Sequence, residues 1–167
     1  MNRKIAAAGS AIFFLAAPCV VAGLVPWWLS GWQFANPAPF WAPVRALGLT
    51  LTAAGTAVVV AAFVQFVVEG IGTPAPIAPP QHLVVGGQYR FVRNPMYVAV
   101  ITAITGQALL FGRLSLLVYA AIVAAAMVAF VHFYEEPDLA GRFGAEYEEY
   151  RRNVPGWWPR LRPWKPN

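Results

Sequence analysis

Four long apolar runs constrain this chain more than any other feature: 5–25, 44–68, 95–111 and 114–134. A helix rises about 1.5 Å per residue, so roughly 20 apolar residues cross a hydrocarbon core about 30 Å thick. In lipid every backbone donor and acceptor must find a partner inside the protein, which makes helices the natural form for such runs. Composition agrees: 59% of residues are hydrophobic and 11% charged, where a soluble domain carries about a quarter charged. The expected fold is an all-α membrane protein with four transmembrane helices in a single domain, 1–167. The run at 95–111 is short for a crossing, and Gly112–Arg113 leaves room only for a tight antiparallel hairpin with the next run. Arg3 and Lys4 precede the first run, as in a cleavable signal peptide. That run is long for a signal's core and three more follow, so a retained helix is expected.

The connections carry their own chemistry. From 26 to 43 the chain places Trp27, Trp28, Trp32, Phe34, Phe40 and Trp41 among prolines. Such rings suit the headgroup layer, where an apolar body and an N–H are both satisfied; a lid over a ligand is the alternative. The segment 72–80, GTPAPIAPP, is expected as a stiff extended connector, because proline fixes φ and removes donors. His82 after it reads as an exposed loop residue. Ala53, Ala57 and Ala61, and again Ala121, Ala125 and Ala129, fall four apart, as small residues do where helices approach closely. Beyond the fourth run, Leu139, Phe143, Tyr147, Tyr150 and Val154 recur at three- and four-residue intervals. This predicts a C-terminal interfacial amphipathic helix, interrupted at Gly141 or Gly144. Trp157, Trp158 and Trp164, interleaved with Arg160, Arg162 and Lys165, read as interfacial anchors. A single cysteine, Cys19, excludes an internal disulfide or a multi-cysteine metal site; packing is its expected role and no metal is expected.

Charge then orients the chain. With four spans, the N-terminus, the 69–95 loop and the C-terminal tail share one side. That side holds Arg3, Lys4, Arg90, Arg93, Arg142, Arg151, Arg152, Arg160, Arg162 and Lys165, against Arg45 and Arg113 on the other. The positive-inside rule places the richer side, with both termini, in the cytosol. These basic residues flank apolar spans instead of forming a polar domain, which argues against nucleic acid as a partner.

Two polar clusters fall on that cytosolic side. Gly86 to Tyr97, GGQYRFVRNPMY, ends in Asn94, a good helix N-cap, and Pro95, which suits the first helical position. The helix start beside Arg90 and Arg93 favours an anionic group. Glu135 and Glu136 end the fourth run, with Tyr89, Tyr97, Phe133, Tyr134 and Tyr147 nearby in the pattern. Carboxylates with aromatic faces suit a cation, and arginines suit a carboxylate. A zwitterion with an additional positive centre fits both clusters, provided the third and fourth helices bring them together. His132 lies four residues before Glu136 and is placed to pair with it, more simply in a structural than a catalytic role.

The pattern Gly87-x-Tyr89-Arg90-x-x-Arg93-Asn94-Pro95-Met96-Tyr97, then a hairpin, then Glu135-Glu136-Pro137 with Leu139, Phe143-Gly144, Tyr147 and Tyr150, resembles the isoprenylcysteine carboxyl methyltransferase and phospholipid N-methyltransferase superfamily. The resemblance covers about 72–159 and implies an integral-membrane methyltransferase that uses S-adenosylmethionine, with a lipid-like acceptor entering from the bilayer. It implies a cofactor pocket lined by Tyr89, Arg93, Asn94, Pro95 and Tyr97 on one side and Glu135, Glu136, Tyr147 and Tyr150 on the other. Glu135, Glu136, Arg93 and Arg151 are the implied catalytic candidates. Asn94 stands where the carboxyl methyltransferases usually have histidine, and Asn-Pro-Met-Tyr with Glu-Glu-Pro is closer to the phospholipid enzymes. The acceptor stays open among a phospholipid amine, an isoprenoid or prenylcysteine carboxylate, and a small lipophilic thiol. The rival readings are a membrane reductase of the sterol-reductase type using NADPH, and a non-catalytic scaffold in which the clusters only join helix ends.

Overall fold

The computed structural model describes residues 17–70 and 82–165, with the backbone alone at 66–70. The expectations for 5–16, Arg3, Lys4, Glu69 and the 72–80 connector lie outside the described residues or side chains. Among the described residues the fold is all-helical. Helix α1 runs Val20–Ser30, α2 Ala42–Gly70, α3 Pro95–Phe111, α4 Leu114–Phe143 and α5 Ala145–Asn153. Two of these, over Ala42–Gln65 and Leu114–Phe143, are long and apolar enough to cross a membrane; α1 and α3 are shorter apolar helices. Helix α1 continues past residue 25, the expected end of the first span, through Ser30.

Two of these helices contain a wide π-helical turn, and in both a proline explains it. In α1 the turn is Val20–Leu24, with Pro26 just beyond. Proline has no N–H and its ring crowds the carbonyl four residues back. Here that carbonyl belongs to Ala22, and it accepts from Gln107 Nε2 at 2.7 Å instead. The Val21 carbonyl accepts from Tyr119 Oη at 2.9 Å. The kink therefore ties α1 to both α3 and α4 with side-chain donors. In α4 the turn is Val131–Glu135, followed by Pro137.

Helices α2 and α3 meet backbone to backbone. A Cβ added at Gly55 would lie 2.7 Å from the Ala99 carbonyl oxygen, and one at Gly48 would lie 2.7 Å from that of Gly106. Val59 and Ala62 continue this buried line along α2. The stripe expected from Ala53, Ala57 and Ala61 is thus displaced: all three are exposed, as are Ala121, Ala125 and Ala129. Alanine packs against lipid as readily as against a helix, whereas only glycine admits so close a backbone. Cys19, expected to pack, is also exposed.

The hairpin between α3 and α4 forms as expected, with Gly112 in the left-handed conformation at φ 65°. Arg45 reaches over the C-terminus of α3, its Nε donating to the Leu110 carbonyl at 3.2 Å and its Nη2 to Asn36 Oδ1 at 2.9 Å. Trp41 Nε1 donates to the Leu109 carbonyl at 2.9 Å. Orphan carbonyls at a helix end are satisfied in this way. Trp28 and Phe40, exposed at this end, lie far from Glu135 and Glu136 along the helices, so they form no lid over the carboxylates.

The amphipathic pattern near the C-terminus breaks at Gly144, with φ +51° and ψ −122°. Its apolar face does not lie against lipid as expected. Tyr147, Tyr150 and Val154 are buried against Leu83, Val85 and Trp164 of the same chain.

Candidate functional site

The start of α3, the π turn of α4 and helix α5 converge on Arg93. Its Nη1 donates to Glu136 Oε1 at 2.7 Å and to Tyr147 Oη at 2.9 Å, and its Nε to the Val154 carbonyl at 3.0 Å. Both side chains of the ion pair are largely covered, at 13% and 15% exposure. Such a pair persists because Nε and the second Nη1 proton also find acceptors, in the Val154 carbonyl and Tyr147 Oη. Arg151 stands further off, with Nη2 3.9 Å from Glu136 Oε2 and nearly half its side chain exposed. It also lies 3.8 Å from Glu148.

The neighbouring carboxylate has different company. Tyr97 Oη donates to Glu135 Oε2 at 2.9 Å, and the Tyr97 ring faces Trp157 at 6.4 Å between centroids. Consecutive residues on a regular helix point about 100° apart. The π turn that ends at Glu135 sets how both acids meet α3: Glu135 reaches Tyr97, and Glu136 reaches Arg93. π turns recur at functional sites for this reason. The expected His132–Glu136 pair is absent among the described contacts; Glu136 is taken by Arg93 and Arg151, and the His132 ring packs edge-on against Phe133.

A segment that sequence reasoning missed closes the site from below. Residues 154–164 run as a strap along the 89–94 loop. Arg93 N–H donates to the Pro155 carbonyl, Asn94 N–H to that of Gly156, Arg160 N–H to that of Phe91 and Trp164 N–H to that of Arg90, over 2.9 to 3.3 Å. Asn94 was expected to cap α3. Its side chain makes no capping bond; Nδ2 donates to the Gly156 carbonyl at 3.1 Å instead. The strap thus occupies the Arg93 and Asn94 backbone donors that lead into the helix. Pro95 does open the helix. Arg90 was expected beside the carboxylates, but its Nε donates to the Trp164 carbonyl at 2.7 Å.

Tyr89 and Tyr150 are buried under the same strap. Tyr150 Oη donates to the Tyr89 carbonyl at 2.7 Å, and its ring lies 5.6 Å from that of Trp164. Burial pushes the Tyr147 and Tyr150 phenols above their ordinary 10.0, with Arg93 pulling part of the way back. Trp164 thus packs within the protein, while Trp158 keeps the exposure expected of an anchor, at 84%. The Pro155-Gly156 pair was the available signal for the strap, since a side chain at Gly156 would lie 3.2 Å from Arg93 Nη2.

Two helices long and apolar enough to span a bilayer, with paired carboxylates, an arginine and aromatic rings gathered at one end of a hairpin, mark an apolar helical protein with a polar site at one end. The family model for phospholipid methyltransferase matches residues 43–146. The chain belongs to that family, within the isoprenylcysteine and phospholipid methyltransferase superfamily. The match takes in α2, α3 and α4 with Arg93, Glu135 and Glu136, and ends just before Tyr147 and the strap. Comparison with curated proteins finds no match. The family is one of methyltransferases, and it points to lipid-like substrates in a membrane.

Proposed function

We propose that this chain transfers a methyl group from S-adenosylmethionine to a lipid-like acceptor at the cytosolic face of a four-span membrane domain. The observation that carries the reading is the joining of α3, α4 and α5 through Arg93, with Tyr97–Glu135 beside it. The donor molecule has a carboxylate, an ammonium and a sulfonium. The residues present fit it: Glu135 and the Tyr97 and Trp157 rings suit positive centres, and Arg151, half exposed, suits the carboxylate. When bound, it supplies a methyl on a sulfonium that departs as a neutral thioether.

The residues divide the remaining work. Glu136 is neutralised by Arg93 and holds the three elements in register, so it acts as a positioning residue. Tyr97 fixes Glu135 through one oxygen and leaves the other to face a cationic group. With an amine acceptor, nitrogen gains the methyl and loses a proton, and Glu135 is the base that takes it. With a carboxylate acceptor no proton moves, and Arg151 is the cation that would hold it. Alignment of acceptor and methyl, with water excluded, supplies most of the rate.

Calorimetry on the detergent-purified chain tests this against the reductase and scaffold readings. S-adenosylmethionine should bind and NADPH should not. Glu136→Gln should lose donor binding while keeping its helical circular dichroism. Donor binding unchanged in Glu136→Gln, or none in the wild type, would overturn the assignment.

A further inference from the structure

A cavity lies on another side of α3. It measures about 290 Å³, near the lower end for small-molecule sites, and opens between α2 and α3. Ala54, Val58, Val98 and Thr102 form its walls, and Phe91 and Pro159 close its cytosolic end. Gln88 and Thr102 are its two polar lining residues, and the Thr102 hydroxyl is already spent on the Val98 carbonyl at 2.8 Å. At 3.6 residues per turn, Val98 and Thr102 lie about 100° and 140° around α3 from Tyr97. A molecule in this groove therefore lies on a different face of α3 from the Tyr97–Glu135 contact, with Pro95 at the border between the two.

The rim gives the groove its selectivity. Pro159 is followed by Arg160, Leu161 and Arg162. The Arg160 backbone N–H bonds the carbonyl of Phe91, another lining residue, so the arginine is fixed at the mouth. Its side chain meets the Asn153 carbonyl at 2.6 Å. Among the described residues the ion pairs involve Arg93, Arg142 and Arg151, and neither Arg160 nor Arg162 has a carboxylate partner. Leu161, at 99% exposure, and Trp158, at 84%, flank this basic edge with apolar side chains suited to the headgroup layer. An apolar slot in a membrane helix pair, beneath a cationic edge at the interface, is complementary to one class of molecule.

We propose that the α2–α3 groove binds an anionic phospholipid of the surrounding bilayer as a resident, one acyl chain in the slot and its phosphate at Arg160 and Arg162. The lipid is not the methyl acceptor, and the proposal stands whether or not the methyl-transfer reading holds. Native mass spectrometry of the full chain in detergent tests it, with phosphatidylglycerol, phosphatidylcholine and glycerol phosphate as separate probes. Phosphatidylglycerol should be retained at one per chain, phosphatidylcholine more weakly, and glycerol phosphate not at all. Arg160→Gln and Arg162→Gln should each lower phosphatidylglycerol retention about fivefold. Ala54→Phe fills the slot and should abolish it. If Ala54→Phe does not fold, the two surface variants and the wild-type lipid preference decide the matter. Equal retention of the two phospholipids, retention of glycerol phosphate, or full retention in a folded Ala54→Phe chain would overturn the proposal. So would recovery of the retained lipid carrying a new methyl group after incubation with S-adenosylmethionine, which would make the groove the acceptor site.

Discussion

At Arg93 a single guanidinium meets a carboxylate, a phenol and a backbone carbonyl, and Arg151 stands near the same carboxylate without this support. The two arginines should therefore answer differently to the same substitution. Arg93→Met leaves Glu136 and Tyr147 without their donor and should cost about 3 kcal/mol, whereas Arg151→Met should cost under about 1 kcal/mol. Thermal unfolding in detergent separates them. The residues themselves were legible from sequence, since an arginine at a helix start and paired acids at the end of an apolar run need partners, although α4 continues past those acids to Phe143. Their exact pairing was not. It depends on the π turn Val131–Glu135, and a widened turn ahead of a proline leaves no mark in an apolar pattern. Asn94 shows the same limit: its type suits a cap, but the cap was outcompeted by a carbonyl more than 60 residues away.

Helix α4 argues for testing an element instead of a contact. Pro137 lacks the N–H that a regular helix would use, and Val131–Glu135 widens ahead of it. Pro137→Ala restores the donor and removes a penalty of up to about 3 kcal/mol for proline within a helix. The variant should be as helical as the wild type or more so. Its π turn should tighten, rotating Glu135 and Glu136 away from Tyr97 and Arg93. Methyl transfer should then fall at least tenfold with no loss of thermal stability, a combination that simple unfolding does not give. Boundaries of α3 and of the hairpin were readable because Pro95 and Gly112 punctuate them. The α2–α3 contact was not, because alanine and glycine look alike as small residues and differ only when two backbones nearly touch.

For the molecule as a whole, orientation and alkaline stability are the measurable properties. The proposed topology puts Lys165 and Arg113 on opposite sides of the membrane. Lys165→Cys in a Cys19→Ser background should react with an impermeant maleimide only after the cytosolic side is exposed, and Arg113→Cys without that treatment. Tyr147 and Tyr150 stay protonated in the folded state at pH values where the unfolded chain has begun to ionise. Between about pH 10 and the higher folded values the unfolded state binds fewer protons, so stability falls as pH rises. Denaturation midpoints should be flat below that window and drop within it, and less steeply in Tyr147→Phe.

The strap over residues 154–164 has a temporal meaning as well. Helices α2, α3 and α4 all precede those residues in the chain and are made before them. The 89–94 loop must wait, its donors to the strap unmet, until Pro155 and Gly156 emerge and fold back beneath it. The loop is thus completed late in folding, by residues that follow every long helix of the chain.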